Sequence, residues 1–136
     1  YIVEIKSIKR ILDQMQESDT KVLCFVDEVL RGTNTVERIA ASTQILLSMS
    51  GEMIQCFAAT HDIELTALLE GYFENYHFEE EIKDGDVLFN YRLQPGKATT
   101  RNAIKLLEIM GYEPDIIKKA RTQADVFLKL GIWQLS

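Results

Sequence analysis

The chain has 136 residues, enough for one domain with a core of its own. Hydrophobic residues make up 46% and charged residues 26%, the balance of a globular rather than a disordered chain. Its 15 basic and 21 acidic residues leave a net charge of −6, which makes it a poor stand-alone nucleic-acid binder, because that affinity comes mostly from cations that neutralise phosphates.

Ile2, Ile5, Ile8, Ile11, Leu12 and Met15 recur at helical spacing, predicting a helix from near the start to about Glu17, ended by Ser18-Asp19-Thr20. Val22 to Asp27 runs apolar without alternation and predicts a strand buried on both faces. Val36, Ile39, Ala40, Thr43, Leu46 and Leu47 mark a second helix that stops near Gly51. Ile54 to Ala59 is a second buried strand ending at Thr60-His61, and a third helix follows to Glu70 with Asp62 as its cap. Two aromatic-rich runs, 76–82 and 87–93, flank Lys83-Asp84-Gly85-Asp86, the signal of a hairpin. Two helices finish the chain, one over Thr99 to Met110 stopped by Gly111, the other opened by Pro114.

Strands that alternate with helices predict an α/β fold with a mainly parallel sheet and right-handed crossovers, followed by a C-terminal hairpin and two terminal helices. A single crossover helix fits between the first two strands, so 54–60 is expected beside and parallel to 22–27. Ligands in such sheets bind at the carboxyl ends of the strands, and both Asp27-Glu28 and Thr60-His61 fall there. Cys24 and Cys56 each lie in an apolar run at no disulfide or zinc spacing. They read as reduced, buried thiols of a cytoplasmic protein. No apolar run approaches the roughly 20 residues of a spanning helix, and the start, Tyr1-Ile2-Val3-Glu4-Ile5, lacks the basic segment of a signal peptide.

An apolar strand ending in Asp-Glu has the form of a Walker B segment. Asp27 can hold a hydrated Mg²⁺, a hard ion that takes oxygen ligands and keeps several waters. Glu28 can orient or deprotonate an attacking water. His61 ends the neighbouring strand, where an imidazole can reach a γ-phosphate oxygen. The loop Arg31-Gly32-Thr33-Asn34-Thr35 leaves the strand beside Glu28 and starts a helix. Its hydroxyl and amide groups can cap that helix, Thr35 above all, or reach a second subunit's nucleotide. A strand-end acidic turn and a surface histidine are the plain alternatives for the same residues.

Together, Asp27-Glu28, Arg31-Gly32-Thr33-x-Thr35 and Ala59-Thr60-His61-x-x-Glu64-Leu65-Thr66 resemble the ATPase domain of the MutS mismatch-repair family. Ile2-Val3-Glu4-Ile5 is similar to the helix ahead of its Walker B strand. Gly96-Lys97-Ala98, Gly111-Tyr112-x-Pro114 and Ile116-Ile117-x-x-Ala120 resemble its end. The resemblance runs collinearly over about the first 120 positions. It implies a P-loop NTPase fold of ABC type, ATP and Mg²⁺ as cofactors, a homodimer formed through the ATPase domain, and a DNA clamp whose DNA contacts lie in domains outside this chain.

Asn34 stands where mismatch-repair members usually carry Ser, and Arg101-Asn102-Ala103-Ile104 replaces a Ser-Tyr-Gly-Ile-like stretch, the marks of a divergent branch. No GxxxxGK[ST] phosphate loop occurs: in Gly96-Lys97-Ala98 an alanine replaces the metal-binding hydroxyl, and Tyr91 stands where the first glycine belongs. The family's loop lies upstream, so the chain reads as the C-terminal part of an ATPase domain. An ABC or SMC-type head would share the Walker B pair and the histidine but carries an Ala-Leu-Asp-like loop that residues 31–35 do not match. A silent dimerisation module would have no need to keep Asp27, Glu28 and His61 together. Glu79-Glu80-Glu81 beside His77 reads as a solvated hairpin face, and Arg92, Lys97 and Arg101 as ordinary surface charge.

Overall fold

The computed structural model describes residues 2–17, 19–83, 86–98 and 102–135. In chain order these form α1 (Ile2–Glu17), β1 (Val22–Asp27), α2 (Thr35–Ser48), β2 (Ile54–Ala59), α3 (Ile63–Leu68), β3 (Tyr76–Lys83), β4 (Asp86–Pro95), α4 (Ala103–Ile109) and α5 (Pro114–Leu130). The order matches the α-β-α-β-α, hairpin, two-helix reading. The Asp84-Gly85 turn, the Thr99 end of the expected fourth helix, Ser18 and Arg101 lie outside the described residues. The architecture is mixed α/β, with a small parallel sheet, an antiparallel hairpin and five helices among the described residues.

The chain divides into two units, Tyr1–His77 with Pro95–Lys97, and Phe78–Gln94 with Ala98–Ser136. In the first, β1 and β2 pair in parallel, Val22 opposite Ile54 through to Asp27 opposite Ala59, as the crossover length predicts. Ile8 of α1, Cys24, Ile54, Leu46 of α2 with its C-cap Met49, and Leu65 and Leu69 belong to the buried core, with Ile11, Leu12 and Met15 packed against it. These α1 positions recur every three or four residues, so one stripe of the helix faces inward. Cys24 and Cys56 are register partners and both are free; Cys24 is buried and Cys56 half-buried. Burial, followed by the proximity of Cys24, pushes the Cys56 thiol up to about 11, so it stays protonated and unreactive at neutral pH.

The expectation that β1 is buried on both faces needs correction. Alternate residues point to opposite faces of a strand, and only the Val22, Cys24 and Val26 side meets the core. Leu23, Phe25 and Phe57 are 62%, 72% and 54% exposed. Phe25 stacks on Phe57 at 5.3 Å between ring centroids, so the outer face is a small apolar patch.

The third and fourth helices are shorter than their sequence patterns: α3 ends at Leu68 rather than Glu70, and α4 ends at Ile109. In the second unit α4 is closed by Gly111 (φ 77°), with the Tyr112 N–H bonded to Leu107 O. Pro114 opens α5 and Gly131 (φ 70°) ends it, left-handed positions that suit glycine. Beyond it Trp133 folds back and stacks on Phe127 at 4.2 Å. No helix among the described residues is long and apolar enough to cross a membrane.

Candidate functional site

The β1–β2 ladder continues one step past Asp27, where the Glu28 N–H donates to Ala59 O at 2.9 Å. The chain then turns sharply. Glu28 and Leu30 both adopt left-handed backbone angles, φ 50° and 60°, each costing roughly 1–2 kcal/mol for a residue with a side chain. Three contacts hold the turn. Val29 and Leu30 drop into the core; the buried Ser42 hydroxyl of α2 donates to Val29 O at 3.3 Å; and the Leu30 N–H donates to Glu4 Oε1 of α1 at 2.6 Å.

This turn leaves the Asp27 carboxylate exposed at the strand end, with no hydrogen-bond or ion-pair partner among the described residues, and swings Glu28 across toward β2. Glu28 Oε1 lies 3.0 Å from His61 Nε2, and Oε2 lies 3.0 Å from Arg31 Nε. The Glu28 side chain is 24% exposed, whereas Arg31 and His61 are 82% and 93% exposed. The carboxylate is therefore sheltered while its two partners face solvent. Exposed pairs of this kind contribute about 0–1 kcal/mol, so either partner leaves Glu28 at little cost.

The loop after Arg31 is tied to the same turn. Thr33 Oγ1 donates to Leu30 O at 2.9 Å. Asn34, not Thr35, is the N-cap of α2: its Oδ1 accepts from the N–H groups of Val36 and Glu37 at 3.0 and 3.4 Å, and Thr35 is the first helical residue. An amide oxygen one position earlier satisfies the free N–H groups as well as a hydroxyl does. On the β2 side the Asp62 N–H donates to Thr60 Oγ1 at 3.0 Å. Asp62 occupies the N-cap position of α3 without capping it. Its carboxylate instead faces Arg38 of α2 in a two-pronged pair, Nε to Oδ2 at 2.9 Å and a terminal nitrogen to Oδ1 at 2.6 Å.

The MutS domain V family model matches residues 1–128. The chain belongs to the MutS family. It is 26% identical over 121 residues to the DNA mismatch repair protein MutS of Thermus thermophilus, covering 89% of this chain and 14% of that protein. It is 30% identical over 125 residues to the DNA mismatch repair protein MutS 2 of Haloarcula marismortui, covering 89% of this chain and 13% of that one. The Aquifex pyrophilus MutS is also 30% identical over 125 residues. This MutS-family chain thus spans about one seventh of the relatives it matches.

Of the residues singled out in the sequence, Glu28 and His61 are brought into contact, with Asp27 one residue away on the same strand end. Thr33 and Asn34 spend hydroxyl and amide oxygen on the turn and the helix cap, and Thr35 is left exposed. Among the described residues no group of three His, Cys, Asp or Glu side chains is placed to hold an ion. Lys97 pairs with Glu70 at 2.6 Å, ordinary surface charge as expected. Glu4, Arg38 and the Asp62 side chain were not legible as site residues. Of the three only Glu4 leaves a signal, an acid inside the apolar Ile2-Val3-Glu4-Ile5.

Proposed function

We propose that this chain is the C-terminal part of a MutS-family ATPase domain. Residues 27–28 supply the Walker B carboxylates, residues 31–35 a loop reaching toward a second subunit's nucleotide, and His61 the γ-phosphate contact. The longer polypeptide couples ATP binding and hydrolysis to clamping DNA as a homodimer. The observation that carries the reading is the 3.0 Å contact of Glu28 with His61 at the carboxyl ends of adjacent parallel strands, where α/β sheets bind ligands. The uncovered apolar face at Leu23, Phe25 and Phe57 also supports it, since parallel sheets are normally covered on both sides.

Asp27 fits Mg²⁺ by its chemistry. It is a single unpaired carboxylate at a solvent-facing strand end, and Mg²⁺ is commonly held by one or two carboxylates plus substrate phosphates and water. When bound, that ion would neutralise charge on the transferred phosphoryl group. Glu28 then orients the attacking water and takes its proton, once the polyphosphate has drawn Arg31 away from its carboxylate. His61, turned toward the same place, donates to a γ-phosphate oxygen as charge develops there. Because the Thr33 hydroxyl and the Asn34 oxygen are engaged, the Asn34 amide N–H₂ and the Thr35 hydroxyl are the groups with donors left for a partner's nucleotide.

Nucleotide titration with and without Mg²⁺ tests the metal role in the full-length polypeptide. Asp27→Asn is expected to bind ATP with its magnesium dependence largely lost, because it removes the charge nearest the ion's hydration shell. The 136-residue chain alone is expected to turn over little ATP, having no phosphate loop to cradle the β- and γ-phosphates. Unchanged magnesium dependence in Asp27→Asn would remove that residue from the metal site. Dimerisation without any nucleotide binding by the full-length polypeptide would favour a silent module.

A further inference from the structure

We infer that the Arg38–Asp62 pair positions His61 against Glu28, so that it sets the hydrolytic rate without touching the nucleotide. The inference rests on the ATPase reading of Glu28 and His61. His61 is almost wholly exposed, and among the described residues its side chain has one polar contact, Glu28. Its direction is therefore decided by the residues on either side. Thr60 closes the turn by accepting the Asp62 N–H at 3.0 Å, and the Asp62 carboxylate is anchored on the Arg38 guanidinium at 2.6 and 2.9 Å. Arg38 also reaches Thr33 O at 3.4 Å. One guanidinium thus ties the loop after β2 to the loop after β1, beyond the point where the strand ladder ends.

The pair is built to hold. Its side chains are 21% and 17% exposed, far less than Arg31 or His61. A two-pronged Arg–carboxylate contact fixes orientation as well as distance. Displacement of a catalytic group by about 1 Å can cost on the order of 10²-fold in rate, so the anchor beside His61 has leverage that a surface ion pair lacks.

The test is a double-mutant cycle on steady-state ATP hydrolysis by the full-length protein, read as kcat and KM separately. Asp62→Asn is expected to lower kcat about tenfold and leave the ATP KM within about twofold, part of the ~10²-fold leverage of positioning. In a His61→Ala background the same substitution is expected to cost nothing further, because its effect runs through the imidazole. The charge-reversed pair Arg38→Asp with Asp62→Arg is expected to recover part of the lost kcat. If Asp62→Asn does not fold, Arg38→Lys carries the same cycle, keeping the charge while losing the fork. An equal loss in both backgrounds, or a loss confined to KM, would overturn the positioning role. Unchanged kcat in Asp62→Asn, beside a Glu28→Gln variant that no longer hydrolyses ATP, would overturn it too and leave the ATPase reading standing. Normal hydrolysis by Glu28→Gln would instead remove Glu28 from its role with the attacking water, and the positioning of His61 against it would lose its meaning.

Discussion

Glu28 occupies a left-handed backbone position that a glycine would take at less cost, and the rest of the turn compensates. Val29 and Leu30 are buried, Glu4 accepts the Leu30 N–H, and Ser42 donates to Val29 O. Nearby, Asp62 titrates below the ordinary carboxylate range, first because Arg38 donates hydrogen bonds to it and then through the charges of Arg38 and His61, with burial opposing. The native state therefore binds fewer protons at Asp62 than the unfolded chain does. The stabilisation is complete above the unfolded value of about 3.9 and is lost as pH falls through the lowered native value. Denaturant midpoints of wild type and Asp62→Asn are accordingly expected to differ from pH 7 down to about 5, and to converge as pH falls below about 4. Convergence already complete at pH 6 would mean that some other group titrates.

At the scale of elements, the two faces of the β1–β2 sheet differ in what they hold. Leu46 of α2 is 3% exposed in the core, and Leu46→Ala is expected to cost about 2–5 kcal/mol of stability. Phe25→Ala on the outer face removes one stacking contact and is expected to cost about 1 kcal/mol in this chain. A Phe25→Ala loss as large as that of Leu46→Ala would show the outer face to be covered in solution. Both strands, their parallel pairing and the hairpin were legible in the sequence, because apolar runs and turn residues are local signals. The uncovered face was not: the run Val22-Leu23-Cys24-Phe25-Val26 reports that both sides suit burial, not that this chain supplies both covers. The cap at Asn34 rather than Thr35 was missed by one position for a related reason, since either side chain can accept the N–H groups and only the backbone path chooses between them.

For the molecule as a whole, membership of the MutS family rests on nearly the full chain, residues 1–128, while the residues proposed for the chemistry lie in one corner of the first unit. Asp27, Glu28 and His61 could be singled out as candidates because strand ends of α/β sheets are where ligands bind, and the structure brings Glu28 and His61 into contact. Arg38–Asp62 and Glu4–Leu30 could not, because each joins positions far apart in sequence through a fold that must exist first. The central claim is that Glu28 handles the water. Single-turnover hydrolysis of Mg²⁺-ATP by full-length Glu28→Gln tests it most directly, since the amide keeps the side chain's size and removes the basic oxygen. The account predicts near-normal nucleotide binding with hydrolysis slowed by about 10²–10⁴-fold. Hydrolysis at the wild-type rate would contradict it and leave Asp27-Glu28 as the acidic turn at the end of a strand.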